Sequence, residues 1–196
     1  SFAAIPINMK RQHIDYVMAS SNKNIQGMAG VGFVICNREK IERLKNYKPK
    51  NFYLNLYAQY DYFNQTGQSR FTPPVQTLYA LREAIREVQF ETIEKRYERY
   101  SKSWETLIQG LQDLQLEVVI PLEHHSKIIT AIYEPNHPNY SFNDLHDEMF
   151  DKGFTIYPGK VGSLNTFRIA NIGAIDHHDM SEFIRLLKDY FIKIER

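Results

Sequence analysis

Two long helical stripes in the middle of the chain limit what it can fold into. Their apolar residues are Leu78, Leu81, Ile85 and Val88 in the first stripe, and Tyr100, Trp104, Leu107, Ile108, Leu111 and Leu114 in the second. Such stripes are most simply packing faces, because a helix buries its apolar side. Thr72, followed by Pro73, is predicted to start the first helix as a hydroxyl cap. A domain boundary is predicted near residues 89–95.

Short apolar runs precede the stripes. Residues 15–19 and 32–36 are predicted to form buried strands, joined by a polar loop rich in small residues. A helix is predicted at residues 38–46. The aromatic, polar stretch 51–71 has no clean period, so we expect either an ordered loop over a site or an irregular interface segment.

The pattern changes again from Leu116 onward. Strands are predicted at residues 116–120, 127–134, 154–157 and 167–173. A helix is predicted between them, with Ser141 and Asp144 spaced for capping. The last helix carries on one face Met180, Phe183, Ile184, Leu187 and Phe191. The chain is therefore predicted to be α/β: the first part completes a mostly parallel, helix-flanked sheet, and the second is a smaller α+β domain.

Composition excludes several classes of protein. The apolar share of 43% and the charged share of 24% are ordinary for a soluble globular protein. The net charge of +1 gives no strong electrostatic field that would favour binding to nucleic acid or anionic membranes. Cys36, the single cysteine, cannot form an internal disulfide and is expected to be a buried thiol. No apolar run approaches the length of a membrane span. We expect a cytoplasmic protein. Because the chain does not start with Met, we also expect it to be part of a larger protein.

Lys23 and Arg168 are the residues that could carry chemistry. Lys23 follows a buried strand, where a partly desolvated amine can attack a carbonyl, although a surface lysine in a turn is the more common arrangement. Arg168 has apolar neighbours and needs an anionic partner, which either a structural carboxylate or a substrate anion could supply. Both alternatives stay open from the residues alone.

Two other patterns are weaker. Gly27, Gly30 and Gly32 have the wrong order for a dinucleotide-binding loop and precede a strand, so tight turns beside Lys23 are the expected role. The histidines at 124–125 and in the run 176–178 lack a zinc-like spacing, which favours a solvated surface or a helix start over a metal site.

Several separated motifs resemble one known family. The stretch HIDYVMASSNKNIQGMAGVGFVIC is similar to the cofactor-lysine region of class V, fold type I, pyridoxal-phosphate-dependent aminotransferases. It is most similar to the 2-aminoethylphosphonate–pyruvate transaminases, where S-x-N-K-x-I-Q-G surrounds the lysine. RFTPPVQTLYALREAI resembles that family's segment after the lid. KIITAIYEP, GFTIYPGKV and FRIANIG resemble its C-terminal domain in the same order. The resemblance covers nearly the whole chain.

The resemblance implies a role for individual residues. Lys23 would bind pyridoxal 5'-phosphate covalently and act as the base that moves the proton between substrate and cofactor. Asn22 would help to place the cofactor. Thr72 matches the threonine that reaches the cofactor phosphate of a neighbouring subunit, which implies a homodimer. Arg168 would hold the acidic group of the substrate, and Lys160 is a weaker candidate for an anion contact.

The implied reaction has two stages. The amino group passes from 2-aminoethylphosphonate to the cofactor, giving phosphonoacetaldehyde, and then to pyruvate, giving alanine. Residues 1–92 would be the C-terminal portion of the cofactor-binding large domain, and residues 93–196 the small C-terminal α+β domain. The family's aspartate beside the pyridinium nitrogen, its phosphate loop and its stacking aromatic all precede the point that matches Ser1, so the chain alone is expected to be inactive. The alternatives are another class V aminotransferase, of the alanine–glyoxylate or serine–pyruvate type, and a non-catalytic dimerisation or interaction module.

Overall fold

The computed structural model describes residues 2–159 and 161–195. Contacts divide the chain into two units, Ser1–Glu91 and Thr92–Arg196. The mixed α/β class that the sequence predicts is confirmed. No helix in the described ranges is both long and apolar enough to cross a membrane.

The first unit contains a pair of antiparallel strands, β1 (Tyr16–Ser20) and β2 (Gly32–Cys36). The positions of both predicted strands are confirmed, β1 with a shift of one residue. The predicted burial is wrong, because neither strand of this two-stranded sheet contains a buried residue. The parallel pairing expected of this part is not present in this pair, because a loop without a crossover element connects the strands and parallel neighbours need a crossover. Cys36 is a free thiol and is half-buried, not buried as predicted, since its strand lies at the edge of a two-stranded sheet.

Three helices follow in this unit: α1 (Arg38–Arg43), α2 (Leu56–Thr66) and α3 (Val75–Glu91). Asn37 caps helix α1, because its side chain accepts a hydrogen bond from the Glu39 N–H, and a single 3₁₀ turn, Leu44–Asn46, follows the helix. The predicted helix at 38–46 is therefore confirmed.

Helix α2 corrects the prediction that residues 51–71 are irregular. Asn55 caps its start by accepting from the Ala58 N–H at 3.0 Å, and Gly67 ends it in the left-handed conformation with φ 68°. The helix has no fully buried residue, and its aromatic side chains lie on several sides. The helix therefore has no apolar stripe that would predict it, although its capping residues, Asn55 and Gly67, are of the types that favour helix ends.

Helix α3 begins later than predicted, so Thr72 does not cap it. Pro74 occupies the cap position, and its carbonyl accepts from the Leu78 N–H at 3.0 Å. The cause is the second proline, because a residue that precedes proline is held in an extended conformation and Pro73 therefore cannot be helical. Of the predicted stripe, Leu81 and Val88 are buried, whereas Leu78 and Ile85 are exposed.

The second unit combines three helices with a three-stranded antiparallel sheet. In chain order its elements are α4 (Ile93–Asp113), β3 (Ile129–Tyr133), α5 (Phe142–Asp151), β4 (Tyr157–Pro158), β5 (Thr166–Ala170) and α6 (His177–Ile194). The sheet order is β3-β5-β4, and a short 3₁₀ turn, Leu122–His124, precedes β3. Ser141 caps α5 by accepting from the Asp144 N–H at 3.4 Å, as the spacing predicts.

One hydrophobic core lies within this second unit. Its fully buried members include Leu107, Leu111, Ile132, Phe167 and Leu187. They come from α4, β3, β5 and α6, so the helices cover one face of the sheet. The predicted apolar faces of α4 and α6 are confirmed by this burial.

Residues 116–120 do not form the predicted strand. Val118 makes a single bridge to Ile132, and the backbone N–H of Val119 donates to the Ala131 carbonyl at 3.0 Å. The segment is short because Pro121, which cannot donate to a sheet, ends it almost at once.

Candidate active site

The loop that carries Lys23 connects β1 to β2, and Ser21 fixes its geometry. The Ser21 N–H donates to the Val31 carbonyl at 2.9 Å, which closes the loop. The Ser21 carbonyl accepts from the Gly27 N–H at 2.7 Å, and its hydroxyl donates to the Met28 carbonyl. Ser21 is fully buried. The three hydrogen bonds of Ser21 therefore fix the backbone of the turn that follows it.

Lys23 lies on this turn with its side chain in solvent. Its carbonyl accepts from the Gln26 N–H at 2.8 Å, while the next two residues, Asn24 and Ile25, are buried and anchor the turn. The Lys23 amine makes no hydrogen bond or ion pair with any of residues 2–159 and 161–195. Asn22 beside it is also exposed. The backbone is thus held in place while the amine stays accessible.

Helix α3 packs directly on the Lys23 loop at Gly27. A Cβ on Gly27 would lie 2.9 Å from the Ser21 carbonyl oxygen, 3.5 Å from the Leu81 Cα and 3.6 Å from the Ala84 Cβ. Gly27 therefore permits close approach of two backbones. Gly30, with φ 123°, adopts a conformation that favours glycine, which confirms the expected turn role at that position.

Thr72 lies just before α3, and its hydroxyl makes no hydrogen bond within the described part of the chain. The neighbouring segment is held by Arg70, which sequence reasoning missed. The Arg70 guanidinium lies 4.7 Å from the centre of the Phe52 ring and 5.1 Å from that of Phe71, and it donates to the Phe52 carbonyl at 3.2 Å. An arginine directly followed by phenylalanine is the signal that could have suggested part of this contact.

Arg168 lies on β5, on the sheet face opposite the core. Its neighbours Phe167 and Ile169 are buried, whereas Arg168 itself is exposed. Its side chain crosses Gly159, and its guanidinium is 3.5 Å from the Pro158 carbonyl oxygen. No carboxylate among the described residues pairs with it. The structural-carboxylate alternative therefore fails there, because alternation along the strand exposes the arginine and removes the need for a buried partner.

The chain that follows Arg168 is fixed by a buried amide. Asn171 is fully buried, and its amide donates to the Tyr100 carbonyl at 2.8 Å and to the Lys127 carbonyl at 2.9 Å. The Gly173 N–H donates to the Tyr100 hydroxyl at 3.1 Å. Helix α4 thus holds the end of the strand that carries Arg168.

The histidine run at 176–178 forms a helix start, as expected. The Asp176 carboxylate accepts from the His178 N–H at 2.7 Å. The Asp179 carboxylate in turn accepts from the Asp176 N–H at 2.8 Å, which completes the cap. The His178 hydrogen bond lowers the pKa of Asp176 below its ordinary value. Ligand atoms of Asp176, His177 and His178 lie within 4.8 Å of one another, but the positive end of the helix dipole disfavours a cation there.

The other predicted positions have simpler outcomes. His125 accepts from the Trp104 indole N–H at 3.1 Å through Nδ1, and its Nε2 lies 2.8 Å from the Ile120 carbonyl, so it is a packing residue. Lys160 falls outside the described residues. Lys23, Asn22 and Thr72 belong to the first unit, and Arg168 to the second.

Comparisons with known proteins identify the family of the chain. The family model for aminotransferase class V matches residues 1–151. A 2-aminoethylphosphonate–pyruvate transaminase of Salmonella paratyphi B is 36% identical over 190 residues, which cover 96% of this chain and 52% of that protein. The chain thus spans about half the length of the curated relatives that it matches.

Two solved structures show the same fold. Pyridoxamine–pyruvate aminotransferase from Mesorhizobium loti superimposes with a TM-score of 0.88 at 17% identity, over 100% of this chain and 51% of that one. A PLP-bound phosphoserine aminotransferase from Trichomonas vaginalis gives a TM-score of 0.75 at 15% identity, over 95% and 51%. The chain belongs to the class V aminotransferase family.

Proposed function

We propose that this chain supplies the cofactor lysine and the substrate arginine of a pyridoxal-phosphate-dependent aminotransferase that transfers the amino group of 2-aminoethylphosphonate to pyruvate. The observation that carries the proposal is the Lys23 amine, which is exposed and unpaired among the described residues on a turn that Ser21 and Gly27 hold in place. The 36% identity to 2-aminoethylphosphonate–pyruvate transaminases supports the choice of substrates.

The residues of the first unit fit the cofactor. The Lys23 amine would bind pyridoxal 5'-phosphate covalently, and the adjacent Asn22 would help to place it. The hydroxyl of Thr72, unbonded within the described residues, would donate to the phosphate of the cofactor in a neighbouring subunit of a homodimer. When bound, the cofactor supplies an electron sink for the charge that develops on the substrate carbon.

Lys23 and Arg168 then have separate tasks. A lysine amine close to the substrate carbon can accept and return its proton as a general base. The planar guanidinium of Arg168 presents a fork of N–H donors, which suits the paired oxygens of a phosphonate and of a carboxylate. One arginine could therefore serve both half-reactions, with Lys160 as a weaker anion contact. We assign the first unit to the cofactor-binding domain and the second to the small domain.

Covalent labelling tests the assignment of Lys23. The chain is mixed with pyridoxal phosphate, reduced with borohydride and mapped by peptide mass spectrometry. We expect the label on Lys23, its loss in Lys23→Arg and its retention in Lys45→Arg, which changes another exposed lysine. Label scattered over several lysines, both in this chain and in the longest natural polypeptide that contains it, would contradict the proposal.

Substrate exchange tests the assignment of Arg168. In that polypeptide, 2-aminoethylphosphonate with pyruvate should react faster than alanine with glyoxylate or serine with pyruvate. Arg168→Lys should raise KM for both 2-aminoethylphosphonate and pyruvate by roughly tenfold or more, because a single ammonium cannot replace a two-pronged donor. Faster reaction with alanine and glyoxylate would instead identify another class V aminotransferase.

A further inference from the structure

Gly159 has no backbone reason to be glycine. Its φ lies outside the left-handed region, so an alanine could adopt the same conformation. Its N–H donates to the Thr166 carbonyl at 3.2 Å, which pairs it with the strand that carries Arg168. Some other constraint must therefore account for the missing side chain.

The constraint is the side chain of Arg168. A Cβ on Gly159 would overlap the Cγ and Nε of Arg168 and would lie 2.6 Å from its Cδ. Real Cβ atoms do not approach other atoms so closely, so the two side chains cannot share this space. The stem of Arg168 occupies the room that a methyl group would need.

Thr166 makes this region rigid. It is buried, and its hydroxyl donates to the Gly159 carbonyl. The hydroxyl oxygen of Thr166 also accepts a hydrogen bond from the Val161 N–H at 3.2 Å. The backbone beneath the arginine is therefore tied to β5 on both sides of Gly159. We call this surface, formed by Pro158, Gly159 and Thr166, the arginine seat.

We propose that Gly159 is a positioning residue, whose bare backbone forms the arginine seat and so fixes where the guanidinium of Arg168 binds the acidic group of the substrate. The part that concerns the substrate rests on the proposed function, whereas the seat itself does not.

The arginine seat reduces the conformational entropy that Arg168 loses when an anion binds. An exposed arginine otherwise samples many rotamers, and ordering it when a ligand binds lowers affinity. Here the stem lies against backbone before any ligand arrives. Among residues 2–159 and 161–195, the only hydrogen-bond acceptor of the guanidinium is the Pro158 carbonyl, at the long distance of 3.5 Å, so most of the N–H fork is available for an oxyanion.

The position of Arg168 can be followed in this chain without any activity. We expect Gly159→Ala to move the Arg168 Nε–Hε resonance in an NMR spectrum toward that of a freely mobile arginine. The unfolding temperature should change little, because an exposed side chain can rotate away. Gly32→Ala is the control: Gly32 also lies opposite a neighbouring strand, but its Cβ would meet only the Ala19 carbonyl oxygen, at 3.9 Å. An Arg168 resonance that stays the same in Gly159→Ala would overturn the inference.

Kinetics test the consequence for substrate binding in the longest natural polypeptide that contains this chain. Gly159→Ala should raise KM for both acidic substrates by roughly 10- to 100-fold, with a smaller change in kcat. In the Arg168→Ala background the same substitution should have no further effect, because its action passes through the arginine. Losses that multiply would overturn the inference. If wild-type protein does not use 2-aminoethylphosphonate, the proposed substrate fails, and the resonance experiment still decides the seat.

Discussion

Lys23 and Arg168 owe their accessibility to how neighbouring residues use their backbone groups. The turn around Lys23 is closed by main-chain hydrogen bonds from the Gly27 N–H to the Ser21 carbonyl and from the Gln26 N–H to the Lys23 carbonyl, so the lysine amine is not needed to hold the turn. Arg168 lies on the outer face of a strand whose other face is buried. In both cases the fold leaves a cation free for a ligand, within the part of the chain that the structure describes.

Asp176 gives a pH prediction at the same scale. Its carboxylate caps α6 and its pKa is lowered, so the stability it adds is complete above its ordinary pKa and is lost as pH falls through the lower folded value. Asp176→Asn keeps a capping oxygen but loses the charge at the helix start. We expect the variant to melt below wild type at neutral pH, with a difference that shrinks below about pH 4. Melting curves at several pH values measure this difference, and one that is independent of pH would contradict it.

The candidate site was predictable only in part, for a physical reason. Lys23 and Thr72 could be proposed from the sequence because they lie in contiguous motifs that resemble a family. Gly159 and Arg70 were missed, because their importance comes from contacts with residues distant in sequence or from the shape of a rigid backbone. A glycine has no side chain whose pattern could reveal its partner.

Helices α4 and α6 meet at a glycine. A Cβ on Gly110 would lie 2.6 Å from the Cδ1 and Cγ1 of Ile184, so the absence of a side chain sets how closely the two helices approach. A glycine within a helix costs roughly 1 kcal/mol relative to alanine. The close packing around Ile184 therefore offsets an intrinsic preference for alanine.

A double substitution tests this contact. Gly110→Ala should lower the free energy of unfolding by about 1–2 kcal/mol, because overpacking outweighs the gain in helix propensity. In the Ile184→Ala background the methyl group has room, and the same substitution should become stabilising. Urea denaturation of the four proteins measures both effects. An equal loss in the two backgrounds would show that Gly110 is required for another reason.

Elements were predictable where one local signal dominated. The apolar run of β2 and the stripe of α4 gave the correct positions. Helix α2 was missed because its aromatic residues form no single stripe, and the start of α3 was misplaced because the second proline, Pro74, overrode the hydroxyl cap. The run 116–120 has strand composition, but Pro121 limits its pairing to one bridge.

Over the whole molecule, apolar burial is unequal between the two units. The core cluster lies entirely within Thr92–Arg196 and includes Trp104, the only tryptophan. In the first unit the buried apolar residues are Ala3, Ala4, Ile25, Ile41, Leu81, Ala84 and Val88. Several of its large side chains are exposed, among them Phe52 at 76% and Phe90 at 93%. Because burial of apolar surface is the main stabilising contribution, the second unit should be the more stable.

Denaturation followed by two probes tests this inequality. Far-UV circular dichroism reports the helices of both units, whereas Trp104 fluorescence reports only the second. We expect the dichroism signal to begin falling at a lower urea concentration than the fluorescence, because the first unit should unfold first. A chain limited to residues 92–196 is the control, and its fluorescence transition should coincide with that of the whole chain. Superimposed transitions in the whole chain would mean instead that the two units unfold as one, so that the larger core also stabilises the turn that carries Lys23.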